Sequence, residues 1–336
     1  MIWRNIHLAR IDIRTEVAIH LSIHITISDL KTKDNLDSKN PMRLLAIVNP
    51  ISGRTSKARV WESILGNIDT TKYEVAIEMT QRPGHATELA AKAVEDGVEV
   101  VAAVGGDGTV NEVAKALVGT STALGIIPCG SGNGLARHLH IPMDVRKAVQ
   151  IINEGTAIAI DSMTVNGIPC FCTMGVGYDA KVCEEYSKES TRGFVTYARK
   201  FIGGWFSYEP QEYIIVTDEK VLERKAVAIT CANANQWGNG FHVAPKASLR
   251  DGLIDVTIIH PIKLVNAIPM PAQILGYSFD KNPDVETFKA KNIMIKRRTT
   301  DAIHVDGEPM HMGKDVRVEI RKESLSIMIN TSANQI

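Results

Sequence analysis

From Met42 onward the chain alternates between short, continuously apolar runs and amphipathic stretches. Leu44-Leu45-Ala46-Ile47-Val48 has the pattern of a strand covered on both faces. The spacing predicts a helix over Lys57 to Leu65, a strand over Tyr73 to Met79, and an Ala-rich helix from His85 to Asp96 that stops at Gly97. Val98 to Val104 reads as another buried strand, Val110 to Leu117 as a helix, and Leu124 to Ile127 as a strand. Repeated strand–helix units of this length predict a parallel sheet with helices on both faces.

After about residue 155 the pattern shortens and often alternates. Ala157 to Asp161, Met163 to Val165, Cys170 to Met174, Tyr213 to Thr217, Ala226 to Cys231, Leu253 to Ile259, Asn292 to Lys296, Ala302 to Asp306 and Val316 to Ile320 read as strands. Gly, Pro, Asn and Asp separate them, which predicts an antiparallel sandwich or barrel. Two helical stretches interrupt the series, Ala180 to Ser187 and Phe194 to Phe206. The start of the chain fits neither texture. From Ile11 to Ile27 every second residue is apolar except Thr15, far longer than a usual strand, and a polar stretch follows from Lys31 to Pro41. Residues 1–41 are therefore expected to be an extension outside the fold, with an extra edge strand as the alternative.

Lys plus Arg and Asp plus Glu each number 38 among the 336 residues, so charge gives no reason to expect a nucleic-acid partner. No apolar run reaches the roughly 20 residues that span a bilayer. The five cysteines include no CxxC pair, and Cys170 and Cys172 fall on one face of their predicted strand, which is not zinc spacing. Reduced thiols in a cytosolic protein are the expectation.

Three turns at strand ends carry the candidate chemistry. They are Asn49-Pro50-Ile51-Ser52-Gly53, Gly105-Gly106-Asp107-Gly108-Thr109 followed by Asn111 and Glu112, and Pro128-Cys129-Gly130-Ser131-Gly132-Asn133-Gly134. Ligands of open α/β sheets bind beyond the carboxyl ends of strands. Glycines let backbone amides approach phosphate oxygens, and a following helix N-terminus favours negative charge. Neither a GK[ST] loop nor a GxGxxG fingerprint is present. Asp107, inside a Gly-rich turn, is placed to hold Mg²⁺ against nucleotide phosphates, or simply to make a local Asx turn.

The ordered set NPxSG, GGDGTxNE and PxGSGN resembles the catalytic domain of the diacylglycerol kinase and sphingosine kinase superfamily, most closely the soluble bacterial lipid kinases. The likeness runs from Met42 to about Ile329. It implies an α/β plus all-β fold: a nucleotide-binding domain over 42–160 and a lipid- and metal-binding β-sandwich over 161–317, with 318–336 a candidate to return to the first. The activity implied is transfer of the γ-phosphoryl group of ATP to a diacylglycerol-like or sphingoid lipid hydroxyl, with Mg²⁺. Asn49, Pro50, Ser52, Gly53, Thr80, Gly105, Gly106, Asp107, Gly108, Thr109, Asn111, Glu112, Gly130, Ser131, Gly132 and Asn133 are the implied ATP-binding residues.

Three further segments are similar to the family. Gly175-Val176-Gly177-Tyr178-Asp179-Ala180 resembles its GxGxDA segment, so Asp179 is either a contact for the lipid head or a helix N-cap. Ser248 to Asp255 resembles its metal-holding turn, implying Asp251 and the backbone oxygens of Ser248 and Leu253 as Mg²⁺ ligands. Asp306-Gly307-Glu308 resembles its DGE motif and implies Glu308 as the base that takes the hydroxyl proton, with Asp107 as the other catalytic residue. His304 is expected to be a strand histidine that packs. The third loop departs from many bacterial diacylglycerol kinases, because Gly134 stands where they carry an aspartate; GSGNGLAR looks more like sphingosine kinases. The remaining alternatives are an NAD kinase-like enzyme, since GGDGT is shared with that family, and a catalytically silent nucleotide- or lipid-binding regulator.

A lipid kinase of this kind implies a cytoplasmic protein that touches the inner face of the membrane transiently, and leaves a homodimer open. Phe194, Tyr197, Phe201 and Trp205 recur at helical spacing beside Arg192, Arg199 and Lys200, as in an interfacial helix or a packed core helix. Phe241 to Pro245 and the apolar stretch Val265 to Leu275 are candidate linings for an acyl pocket.

Overall fold

The computed structural model describes residues 41–52, 57–188, 204 and 207–330. Gly53 and most of the expected Phe194 to Phe206 helix lie outside the described residues, as do residues 1–40. The chain divides into two compact units. The first takes the described residues up to Cys129, Pro142–Ala157 and, from Ser326, the end of the last strand; the second takes Gly130–Ile141 and Ile158–Leu325.

In the first unit the strands are β1 (Met42–Val48), β2 (Tyr73–Met79), β3 (Val100–Gly105) and β4 (Ala123–Pro128), all parallel, in the order β2-β1-β3-β4. β3 and β4 are buried at every position and β1 at its last five, which is why they read as continuous apolar runs. The helices are α1 (Lys57–Asn67), α2 (His85–Glu95), α3 (Asp107–Leu117) and α5 (Val145–Glu154), with the five-residue α4 (Gly134–His138) falling in the second unit. Right-handed crossovers put α1 on one face and α2 and α3 on the other, because the chain reverses direction across the sheet after β2. Packing agrees: α2 lies against α3, and α1 against α5. α5 is capped by the Asp144 side chain, which accepts from the Lys147 amide. Past α5, Ile327 pairs in parallel with Leu124 of β4, so the chain's last strand closes that edge.

The second unit is a sandwich. One sheet runs β12-β11-β10-β7-β14-β15, with β7 (Thr173–Gly177), β10 (Ala228–Ala232), β11 (Ile254–Ile259), β12 (Val285–Ala290), β14 (Ala302–Val305) and β15 (Glu308–His311). The other sheet contains β16 (Asp315–Ile329), β13 (Asn292–Arg297), β8 (Gln211–Thr217) and β9 (Val221–Ala226), joined by β5 (Thr156–Val165) and β6 (Ile168–Cys170). Inward residues of both sheets, among them Met174, Val176, Ile215, Ile229, Val256, Ile295, Ile303 and Val318, form one buried cluster. A second cluster covers the outer face of the first sheet. There Tyr178 and Val182 of α6 (Tyr178–Ser187) and Met270 and Ile274 of the short helix α8 (Met270–Leu275) share a cluster with Phe279, and α8 is preceded by the short helix α7 (Leu264–Ala267).

Several boundaries differ from the sequence reading. Cys170 to Met174 is not one strand: Phe171 and Cys172 break it, so Cys170 and Cys172 do not share a strand face. Ala157 to Asp161 and Met163 to Val165 are parts of one strand, and the strand expected over Val316 to Ile320 runs on to Ile329. β9, β12 and β15 were not anticipated.

Gly155, just after α5, has no room for a side chain: an added Cβ would meet the carbonyl oxygens of Ile151 at 2.2 Å and Ile329 at 2.4 Å. Both are backbone atoms and cannot rotate away. Gly66, near the end of α1, faces open space. Gly155→Ala is expected to cost roughly 1–3 kcal/mol in chemical denaturation, whereas Gly66→Ala should gain roughly 0.5–1 kcal/mol.

Candidate functional site

In the first unit, strand order reverses between β1 and β3, and ligands of such sheets sit at that switch point. The residues following both strands are tied together. The Asn49 backbone amide donates to the Val104 carbonyl at 3.0 Å, and its side-chain amide donates to Thr109 Oγ1 at 3.1 Å. Asn49 Oδ1 accepts from the Ile51 amide at 3.1 Å, and the Ser52 hydroxyl donates to the Asn49 carbonyl at 3.0 Å, which folds Pro50 into a tight turn. Gly105 must be glycine, since a Cβ there would lie 2.4 Å from Thr109 Oγ1. Gly106 is the N-cap of α3, and Asp107 is its first residue, partly exposed beside exposed Gly108. A carboxylate there is favoured by the positive end of the helix. Thr80, buried, continues β2 by donating its amide to the Val48 carbonyl at 2.9 Å.

Two expected phosphate contacts look inward instead. Asn111 is buried in α3. Glu112 accepts hydrogen bonds from the amides of Gly84 at 2.9 Å and Ala86 at 3.1 Å, one on each carboxylate oxygen. It therefore caps α2, whose own N-cap is a glycine without a side chain to do so.

In the second unit the third glycine turn is clamped. Asn133 is left-handed (φ 52°), its Oδ1 accepts from the Gly130 amide at 3.1 Å, and its side-chain amide donates to the Gly130 carbonyl at 2.8 Å. Arg137 Nε and the Asn239 amide both donate to the Gly132 carbonyl, at 2.9 and 3.1 Å. Ser131 is left exposed at the tip. Close by in the chain, buried His138 accepts the Asn235 amide on Nδ1 at 3.1 Å, which places its proton on Nε2. Burial, with a smaller push from His138, lowers the pKa of His242 to about 4.

The Asp306–Glu308 segment is a two-residue hairpin. Val305 pairs with Glu308, and Asp306 (φ 50°) and Gly307 (φ 82°) both take left-handed conformations, as a DG turn of this kind requires. The Asp306 carboxylate accepts from three successive amides: Phe171 at 2.9 Å, Cys172 at 2.8 Å and Thr173 at 3.1 Å. Glu308 opens β15 with its residue exposed. Beneath the turn, His304 Nδ1 accepts from the Gly307 amide at 3.4 Å, and its Nε2 faces Asp179 Oδ2 at 3.3 Å. Thr230 donates to the same Asp179 oxygen at 2.9 Å, and the Ala180 amide donates to Oδ1 at 2.7 Å. Asp179 is thus neither the N-cap of α6, which is Gly177, nor open to solvent; it is 1% exposed and both its oxygens are engaged inside the protein. Gly175 makes this possible, for a Cβ there would strike Asp179 and His304.

The Ser248 to Asp255 turn does not fit a divalent ion as placed. Asp251 Oδ1 accepts from the Leu253 amide at 3.0 Å, and Oδ2 pairs with Lys289 Nζ at 2.8 Å. The same ammonium donates to Asp255 Oδ2 at 2.8 Å and to the Lys246 carbonyl at 3.2 Å. Burial works against the Lys289 charge, but the two carboxylates outweigh it and raise its pKa. A divalent ion about 4 Å from that ammonium would meet roughly 8 kcal/mol of repulsion at an effective dielectric constant near 20. Ser248 serves the turn locally, its Oγ accepting from the Arg250 amide at 3.3 Å. Asp161, unmarked by the sequence reading, fixes the turn from below by accepting the amides of Gly252 at 2.7 Å and Glu323 at 2.8 Å. Among the described residues, no group of three or more His, Cys, Asp or Glu side chains could hold a metal.

Comparison with known proteins follows the same division. Residues 43–165 match the family model described as diacylglycerol kinase catalytic domain, and 172–329 match that described as YegS C-terminal NAD kinase beta sandwich-like domain. A diacylglycerol kinase of Staphylococcus saprophyticus is 28% identical over 79% of this chain and 88% of its own length. Protein sll0036 of Synechocystis is 29% identical over 78% of this chain; the chain spans 64% of that longer relative. The fold is shared with a diacylglycerol kinase crystal structure from Bacillus anthracis, with a TM-score of 0.66 and 20% identity over 88% of this chain and 99% of that one.

Two outcomes are expected from this geometry. Added Mg²⁺ or EDTA should leave the melting temperature of the nucleotide-free protein unchanged, whereas Lys289→Ala should lose about 1–3 kcal/mol by stranding two partly buried carboxylates. The lowered His242 pKa makes stability fall as pH drops from 6.5 toward about 4, because the unfolded chain binds the proton first. In melts across that range, His242→Phe should flatten part of the decline.

Proposed function

The chain belongs to the family built on the diacylglycerol kinase catalytic domain, and on that premise we propose that it is an ATP-dependent lipid kinase. It transfers the γ-phosphoryl group of ATP to the hydroxyl of a diacylglycerol-like or sphingoid-like lipid at a membrane surface. The observation that carries this reading is Asp107, held between glycines at the N-terminus of α3 and at the switch point of the parallel sheet.

Each residue has a role that its surroundings support. The amides of Gly106, Asp107, Gly108 and Thr109, at the positive end of a helix, meet phosphate oxygens. Asn49 and Ser52 shape the neighbouring turn, and Thr80 borders it at the end of β2. Asp107 is the group suited to Mg²⁺, which when bound neutralises charge on the transferring phosphoryl group. Gly130, Ser131, Gly132 and Asn133 offer a second Gly-rich turn, its conformation fixed by the Asn133 side chain spanning back to Gly130. Glu308 takes the proton of the lipid hydroxyl as the new oxygen–phosphorus bond forms and the bond to the β-phosphate oxygen breaks. Its hairpin is immobilised by Asp306 and His304, so the base is presented from a fixed backbone.

No helix among the described residues is long and apolar enough to cross a membrane.

The test is phosphate transfer from labelled ATP by the purified full chain, offered diacylglycerol, sphingosine and NAD in parallel. Transfer to a lipid and not to NAD is expected. Asp107→Ala should abolish it with an unchanged melting curve. Glu308→Gln should retain ATP binding and lose roughly 10²–10⁴-fold in turnover. Full activity in either variant, or transfer only to NAD, overturns the reading.

A further inference from the structure

The α7–α8 segment has two apolar faces, and only one of them is used by the fold. Ile268 and Pro269 between the two helices are themselves in right-handed helical conformation, so residues 264–275 form a nearly continuous helix. Its inner stripe, Met270 and Ile274, is buried against Phe279, Val243 and Ala244. Its outer stripe is also apolar: Val265 is 69% exposed, Ile268 77% and Leu275 55%, with Tyr277 just beyond at 52%. Pro269, Pro271 and Ala272 are exposed among them. The spacing 265, 268, 272, 275 keeps these residues on one side.

A surface helix ordinarily turns charge outward. Here no charged residue occurs from Leu264 to Phe279. The two polar side chains of the helix are turned back into the protein. Asn266 donates to Asp284 Oδ2 at 2.8 Å, and Gln273 Oε1 accepts from Asn282 at 2.8 Å. The outward stripe therefore offers water nothing to bond, and an exposed patch of this kind marks an interaction surface.

Charge at its borders identifies the partner. Lys263 and Lys281 are exposed at the two ends of the stripe. The acids nearby are spent: Asp280 is paired with Lys246 at 2.7 Å, and Asp284 accepts from the Lys263 amide and from Asn266. An uncharged apolar ridge flanked by lysines complements an anionic bilayer, with the ridge in the acyl boundary and the ammonium groups at the headgroups. We infer that the outer face of α7–α8, carried by Val265, Ile268, Leu275 and Tyr277 and flanked by Lys263 and Lys281, is the surface by which this protein docks on anionic lipid membrane. The inference deepens the lipid-kinase reading and rests on it for its purpose. It also revises the sequence expectation, which gave Val265 to Leu275 to the lining of an acyl pocket.

Sedimentation of the full chain with phosphatidylcholine vesicles, with and without phosphatidylglycerol, tests it without any catalysis. Wild type should bind the anionic vesicles. Ile268→Ser with Leu275→Ser should weaken that binding at least about tenfold while leaving phosphorylation of a short-chain, dispersed lipid alcohol unchanged. Lys263→Glu with Lys281→Glu, which leaves the apolar residues in place, should weaken binding to anionic vesicles alone. Undiminished vesicle binding by both double variants overturns the inference. So does a wild-type dimer that the serine variant splits while vesicle binding stays the same, since the stripe then covers a second copy. If vesicle binding behaves as expected but no lipid is phosphorylated, it is the kinase reading that fails.

Discussion

At the end of the sandwich that carries Glu308, the arrangement depends on one carboxylate receiving three consecutive backbone amides. Asp306 sits in a left-handed conformation and takes the amides of Phe171, Cys172 and Thr173. Those amides are the two of the break between β6 and β7 and the first of β7 itself. Buried unsatisfied amides are costly, so the hairpin is held to this break by the same bonds that make the break tolerable. The recurring device in the molecule is an acid spent on backbone. Glu112 does it for the start of α2, and Asp161 for the turn before β11. In each case a loop acquires a fixed shape from a side chain far away in sequence, and the residues free to act are those left over.

That distinction separates what was readable in the chain from what was not. The parallel strands were legible because burial on both faces leaves continuous apolar runs in β1, β3 and β4. The strands that escaped, β9, β12 and β15, all lie at sheet edges. Charges such as Glu223, Arg224, Lys225, Glu286 and Lys289 protect such edges and erase the alternation that signals a strand. The glycine turns were legible because backbone conformation there is dictated locally. The carboxylates of Glu112 and Asp179 are engaged inside the protein, which their motifs do not announce, because tertiary packing decides side-chain orientation. The cluster of Asp179, Thr230 and His304 could not be seen at all. Its members are 51 and 125 residues apart, and nothing in their local sequence announces a meeting.

The cation question follows the same logic. A turn that resembles a metal-holding loop has kept its acids, Asp251 and Asp255, and satisfied them with an ammonium from β12. An ammonium delivers three donors and one charge from within the chain, and here all three are used, on Asp251, Asp255 and the Lys246 carbonyl.

The last strand gives the molecule a peculiar relation to its own synthesis. β4 lacks its outer neighbour until Ile327 arrives, and Gly155 is shaped to receive the carbonyl of Ile329. A ribosome releases the amino-terminal residues first, yet the sheet of the first unit cannot be finished until Ile327 has been made. The intervening sandwich is therefore made while an apolar edge waits uncovered. A chain that stopped before Ile327 would leave that unit's sheet open as well as the sandwich incomplete.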